Sequence, residues 1–294
     1  MPLHTHIIPS IISSARLSNY GAGIFPGLPT RSAFKKAIKR GEIFVDGNPG
    51  TTGLMVNPAQ RITWQEPEKL PGRIFHIHLK VVYEDDHLAV VNKPAGVVVS
   101  GNQFRTLENA LPAHLSPSSL PDALPAPKAV HRLDAPTSGL IIIAKTSAAR
   151  VALSRQMENK EIQKSYHVVV IGNTPSSMEI NDPIEDQPAL TTFGKVQTVP
   201  SLRSGHLTLL KAKPVTGRTH QIRKHLSSAG FPILGDKLYG KEGLIMRGKG
   251  LFLCATEIIF NHPHTEEKLH LQIEMPAKFE KFMEGEKKRF FKAE

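Results

Sequence analysis

At 294 residues the chain exceeds the usual size of a single domain, and an apolar fraction of 40% allows a buried core throughout. Its one cysteine, Cys254, excludes an internal disulfide and any multi-cysteine zinc site, and no apolar run is long enough to span a bilayer. The formal net charge of +11 suits a polyanion such as nucleic acid, although an anionic membrane face or solubility alone would be served equally.

The opening stretch, MPLHTHIIPSII, has no early Lys or Arg and breaks its short apolar run with a proline. It is a poor signal peptide, so a reducing cytoplasm is the expected location. Thr30 is the expected N-cap of a helix over residues 31 to 40, RSAFKKAIKR, with Gly41 as its stop. Ala33, Phe34, Ala37 and Ile38 fall on one face, and Lys35, Lys36, Lys39 and Arg40 on the other. With Arg31 these make five cations in ten residues and no acid among them. Solvated helix faces usually mix signs, whereas an all-cation face repels itself unless phosphates visit it. A strand from Glu42 to Val45, a turn at Asp46-Gly47-Asn48 and a strand from Arg61 to Trp64 complete a small module. Residues 65–72, QEPEKLPG, change composition as a linker does, which places the domains at 14–72 and 73–294.

In the second domain Ile74, Ile77, Leu79, Val81 and Val82 suggest a partly alternating strand, followed by a turn at Glu84-Asp85-Asp86. A buried strand then runs from Leu88 to Val91 and ends at Asn92-Lys93-Pro94. Five prolines and three serines between Pro112 and Lys128 predict a surface loop. Ala129 and Val130 lead into HRLDAPTSGL, His131 to Leu140, and the apolar run Leu140 to Ala144 leaves it. A strand that turns here and falls back places Arg132 and Asp134 at a sheet rim, within reach of a ligand. A polar hairpin in which Asp134 or Thr137 bonds its own backbone fits the spacing equally well.

A helix is expected over Ser147 to Asn159 and a strand from Gln163 to Ile171, which begins with Lys164 and Tyr166. Next come a strand from His206 to Val215, a turn at Thr216-Gly217 and a helix from His220 to Ala229 closed by Gly230. Leu251 to Phe260 and Lys268 to Glu274 read as a late hairpin. Strands dominate and helices intervene irregularly, so the fold class is α+β with a mixed, largely antiparallel sheet.

Four stretches resemble, in order, the motifs of the RluA-type RNA pseudouridine synthases: YEDDHLAVVNKPAG at Tyr83 to Gly96, HRLDAPTSGL, KSY at Lys164 to Tyr166, and GRTHQIRKH at Gly217 to His225. Pro136 follows Ala135 where that family usually carries a charged pair. The N-terminal module, with Arg16-Leu17-Ser18-Asn19-Tyr20 ahead of it, is similar to the S4-like RNA-binding domain, an appendage that family often carries.

The resemblance implies an enzyme that turns uridine into pseudouridine by breaking the C1′–N1 bond and remaking it to C5. No redox change occurs and no group is lost, so no cofactor is required. A carboxylate can attack C1′ or act as a base at the sugar, and the resemblance gives that role to Asp134. It gives Arg223 the task of keeping the carboxylate ionised and aimed, and sets Tyr166 against the uracil of a flipped-out nucleotide, where it could assist proton loss from C5. Arg132 would fill the vacated stack. Read without the resemblance, Tyr166 on a strand is ordinary core packing and Arg132 a neutralising partner for Asp134. Arg31, Lys35, Lys36, Lys39 and Arg40 are the expected contacts to RNA phosphates.

Fourteen histidines include the pairs His76/His78 and His262/His264, but no third ligand stands at a fitting spacing, so no metal is expected. His131 and His220 are expected to orient their loop and helix. Two other classes of function fit parts of the sequence. A purely RNA-binding protein has no need of Asp134 in four ordered motifs, and a hydrolase using Ser138 would need a nucleophile elbow that TSGL lacks. The expected partner is structured RNA, large-subunit ribosomal RNA ahead of transfer RNA, and the expected state is a monomer.

Overall fold

The computed structural model describes residues 3–10, 13–66, 74–244 and 248–293. The chain divides into two compact units, Met1–Gly72 and Arg73–Glu294. Most of the expected linker, residues 67–72, lies outside the described residues, while Gln65 closes a strand.

The first unit contains β1 (Leu3–Ile7), β2 (Ala15–Arg16), α1 (Leu17–Tyr20), α2 (Arg31–Lys39), β3 (Ile43–Val45), β4 (Asn48–Pro49), β5 (Met55–Val56) and β6 (Arg61–Gln65). An antiparallel sheet in the order β1-β6-β3-β4 is one wall of its core. The Thr30 hydroxyl accepts the Ala33 N–H at 3.1 Å and starts α2, which buries Phe34, Ala37 and Ile38 in a cluster with Leu17, Ile43 and Trp64.

The all-cation face needs a correction at Arg40. Gly41, at φ 75°, reverses the chain and brings Glu42 back against the helix end. Arg40 Nη2 donates to Glu42 Oε2 at 2.9 Å and Nε donates to Oε1, so this cation has a bidentate partner two residues beyond the window read from sequence. Arg31, Lys36 and Lys39 are exposed, and Lys35 is half-buried.

The second unit contains β7 (Lys80–Glu84), β8 (Leu88–Lys93), α3 (Leu107–Ala110), β9 (Ala123–Ala129), β10 (Ser138–Thr146), α4 (Ser147–Glu158), β11 (Gln163–Ile171), β12 (Ser177–Ile180), β13 (Thr191–Ser201), β14 (Gly205–Pro214), α5 (Gln221–Ser228), β15 (Leu253–Asn261), β16 (Lys268–Gln272) and α6 (Ala277–Ala293). Eight of these strands form one sheet in the order β12-β13-β14-β11-β15-β10-β8-β7, with β9 added on β10 and β16 on β15. The fold is α+β and the sheet largely antiparallel; β10 and β15 run parallel, paired at Ser138–Cys254 and Gly139–Ala255.

That parallel seam depends on Gly139. At φ 119°, a Cβ there would stand 2.2 Å from the Ala255 carbonyl oxygen, so any other residue would push the two strands apart. The run Leu140–Ala144 is continuously apolar because both of its faces are covered. Ile142 packs with Leu153 of α4, and Ile141 and Ile143 pack with Leu107 and Leu111.

The proline-rich stretch holds a strand where a loop was expected. β9 pairs with β10 through Ala123, Lys128 and Ala129, and Pro125 and Pro127 are tolerated because an edge strand can forgo ladder donors. The expected strand over Ile74 to Val82 is shorter, beginning at Lys80, and α5 begins at Gln221 because His220 is left-handed at φ 57°. Among the described residues no helix is long and apolar enough to cross a membrane.

Candidate active site

Three parts of the sequence meet around a cleft of about 300 Å³: the loop between β9 and β10, the start of β11, and the segment from Pro214 into α5. The loop is held from behind. Thr137 N–H closes its turn on the Asp134 carbonyl at 3.0 Å, and the Ala135 carbonyl accepts Gly96 N–H at 2.7 Å and Lys93 Nζ at 3.2 Å. Lys93 also donates to the carbonyls of Pro94 and Val97 at 2.9 and 2.7 Å. Fully buried, it is pushed down to about 8, mainly by desolvation, against a smaller opposing pull from Asp134. The stretch NKPAG is therefore the backing of the Asp134 loop.

Arg223 enters from the first turn of α5. Nη1 donates to Asp134 Oδ2 at 3.1 Å, while Nε and Nη2 donate to the two carboxylate oxygens of Asp236 at 2.7 and 2.8 Å. Burial disfavours both charges of the Arg223–Asp236 pair, yet the hydrogen bonds between them prevail: the guanidinium is raised and the Asp236 carboxyl lowered. Asp236 also accepts the N–H groups of Leu238 and Tyr239, which sets the Tyr239 ring 5.1 Å from the guanidinium carbon. The Tyr239 hydroxyl is 2.9 Å from His220 Nδ1, and His220 Nε2 stands 3.7 Å from Asp134 Oδ1. Gln221 locks the preceding turn, accepting from Thr216 and Arg218 and donating to Leu190 and Thr191.

Tyr166 stands on β11 between Ala212 of β14 and Ala255 of β15, two small neighbours that leave room for its ring against the cleft. Burial, and next the charge of Asp134, raise its phenol, so it is protonated at neutral pH. Arg132 is exposed and lines the same cleft. Asp134, Tyr166, Arg223 and Arg132 are thus brought together. Arg31, Lys35, Lys36, Lys39 and Arg40 belong to the other unit.

The sequence reading did not find Asp236, Tyr239 or the role of Lys93. Asp236 had one signal: a lone acid ending the apolar run Phe231-Pro232-Ile233-Leu234 at a glycine turn. Gly235, at φ 79°, would place a Cβ 2.0 Å from the Gly250 carbonyl oxygen. Among the described residues no three His, Cys, Asp or Glu side chains are placed to hold a metal ion. His76 and His78 lie ahead of β7 rather than in it, and His262 Nε2 bonds Asp85 at 2.8 Å.

One carboxylate held by a buried arginine thus lines a single cleft with a buried tyrosine and an exposed arginine. Residues 87–228 match the family described as RNA pseudouridylate synthase. Similar proteins include an RNA pseudouridine synthase of Aquifex aeolicus named as uncharacterized, 34% identical and aligned over 90% of this chain and 91% of its own. The ribosomal large subunit pseudouridine synthase D of Pseudomonas aeruginosa is 35% identical over 79% of this chain and 76% of its own. Among solved structures, human RNA pseudouridylate synthase domain containing 1 shares the fold, with a TM-score of 0.56 at 24% identity over 71% of this chain and 86% of its own. The chain belongs to the RluA-type RNA pseudouridine synthases, and the protein is an RNA pseudouridine synthase.

Proposed function

We propose that this enzyme isomerises specific uridines in structured RNA, with large-subunit ribosomal RNA as the substrate class, and that Asp134 reacts at the sugar of a flipped-out nucleotide. The observation that carries this reading is the Asp236–Arg223–Asp134 chain of hydrogen bonds, which engages Asp134 Oδ2 and leaves Oδ1 free of Arg223, on a residue that lines the same cleft as Tyr166. A uridine with its base on Tyr166 would present C1′ to that oxygen. Attack at C1′ breaks the C1′–N1 bond and leaves an ester to Asp134, or proton removal at the sugar breaks the same bond by elimination. The freed uracil turns within the cleft and C5 bonds to C1′ as the ester is displaced or the sugar proton is returned, with N1 taking up a proton. The C5 proton is then lost to solvent. Because its phenol is protonated, Tyr166 serves as platform and hydrogen-bonding group rather than as a phenolate base. Arg132 occupies the gap left in the RNA.

The first unit serves as an S4-like module whose Arg31, Lys35, Lys36 and Lys39 meet phosphates away from the target, and Arg40 does so while bonded to Glu42. Ribosomal RNA is favoured because relatives from Pseudomonas aeruginosa and Nitrosomonas europaea, each 35% identical, bear the name of large-subunit synthase D. The same relatives favour a cytoplasmic enzyme. Tritium release from [5-³H]uracil-labelled ribosomal RNA tests the reading: wild type releases label and Asp134→Asn does not, whereas release only from transfer RNA would refute the substrate class.

A further inference from the structure

Successive residues of a strand point to opposite faces, so Lys164 and Tyr166, two apart on β11, share a face, and both line the cleft. Lys164 is half-buried there. Among the described residues no carboxylate or carbonyl is bonded to its ammonium, and burial alone acts to lower its pKa. Its charge reaches the neighbouring His131, which desolvation first and Lys164 second push down to about 3.

Several other polar groups of the cleft are engaged, whereas Arg132 is exposed to solvent and the buried His131 Nδ1 and Thr137 Oγ1 have no hydrogen-bond partner among the described residues. Asp134, the one carboxylate lining it among the described residues, is held by Arg223; Arg218 donates to the Pro188 carbonyl; His220 is bonded to Tyr239. A desolvated cation without a partner is unfavourable in the empty protein and becomes favourable when an anion enters. Uracil and ribose are neutral, so the anion that a flipped nucleotide carries into the cleft is its phosphodiester.

We propose that Lys164 forms an anion subsite inside the cleft that binds a phosphodiester flanking the target uridine, and so fixes the sugar relative to Asp134. Phosphate contacts position a nucleotide without reading its base, and a compact ammonium on a strand adjoining Tyr166 does this close to the reacting carbon. The inference rests on the reading of the Asp134–Tyr166 wall as the reacting one.

The test pairs protein and substrate changes. The probe is a short RNA around a uridine that the enzyme converts, carrying one methylphosphonate either 5′ or 3′ of that uridine. Each is compared with a phosphodiester RNA that has the same 2′-deoxy sugar at the linkage. The dissociation constant is measured for wild type, Lys164→Met and Lys164→Arg. Wild type should bind one of the two methylphosphonates about tenfold more weakly than its control. Lys164→Met should bind the control about tenfold more weakly and lose nothing further with that methylphosphonate, while Lys164→Arg retains the penalty. Equal wild-type binding to all the RNAs, or an unchanged penalty in Lys164→Met, would overturn the subsite. Should Lys164→Met fold poorly, Lys164→Gln, neutral and of similar length, takes its place and is read in the same way. Binding of these RNAs does not require turnover, so loss of the Asp134 reading would show separately, as label release by Asp134→Asn.

Discussion

Asp236 grips Arg223 through both of its carboxylate oxygens and thereby turns the remaining guanidinium nitrogen toward Asp134. Asp236→Ala leaves a buried cation with one partner, and breaking a buried pair of this kind costs about 3–5 kcal/mol. Urea unfolding should show that loss, and a smaller one for Asp236→Asn, which keeps an acceptor. The Asp236 carboxyl is depressed, so its contribution is complete above the ordinary carboxylate range and fades as pH falls through its lower folded value. The gap between wild type and Asp236→Asn should therefore persist at mildly acidic pH and close only in strong acid. Superimposable unfolding curves at neutral pH would contradict the clamp.

Lys93 gives a pH signature of the same sense in a separate, alkaline window. Its folded value of about 8 lies below the ordinary 10.5, so between these pH values the unfolded chain holds more protons and the Lys93 contribution becomes more favourable as pH rises. The unfolding free energy of wild type minus that of Lys93→Met should rise by about 3 kcal/mol across that window. A flat difference would show that Lys93 is not desolvated as described. Turnover should also fall in Lys93→Met, because the Ala135 carbonyl loses a donor behind Asp134.

What could be read from residues alone was the chemistry-bearing loop, strand and helix. Asp134, Tyr166 and Arg223 sit in short patterns whose order along the chain is itself information, and the apolar run Leu140–Ala144 reads as the strand that leaves the Asp134 turn. Asp236 was hidden because a lone acid after a glycine reads as a turn, and only the fold shows that the turn lies beside α5. β9 was hidden because its prolines argue against a ladder, a penalty that an edge position removes. Arg40 was misjudged because Glu42 lies past the helix, and Gly41 bends the chain to bring the two together.

Tyr166→Phe keeps the ring and removes the hydroxyl. Affinity for RNA should stay within about twofold of wild type, since stacking is retained. Single-turnover product formation should slow by roughly tenfold or more, because the hydrogen bond that the hydroxyl gives the uracil is lost while C5 sheds its proton to solvent. Unchanged single-turnover rates would restrict Tyr166 to a platform.

On the first unit, Lys35→Gln, Lys36→Gln and Lys39→Gln combined should flatten the salt dependence of RNA binding while leaving the melting temperature near wild type, because Gln is a good helix former at exposed or half-buried positions. Arg40→Gln should differ by lowering stability, since Glu42 is only 8% exposed and loses its bidentate partner. Identical salt slopes for wild type and the triple variant would mean that this face is merely solvated.

The most direct measurement is single-turnover pseudouridine formation by Asp134→Asn, paired with its RNA dissociation constant. The substituted amide keeps the size of the side chain and an acceptor for Arg223 but cannot serve as the nucleophile or base at the sugar. Product should fall below detection while affinity stays within a few-fold of wild type. Turnover near the wild-type rate would show that Asp134 is not the reacting carboxylate.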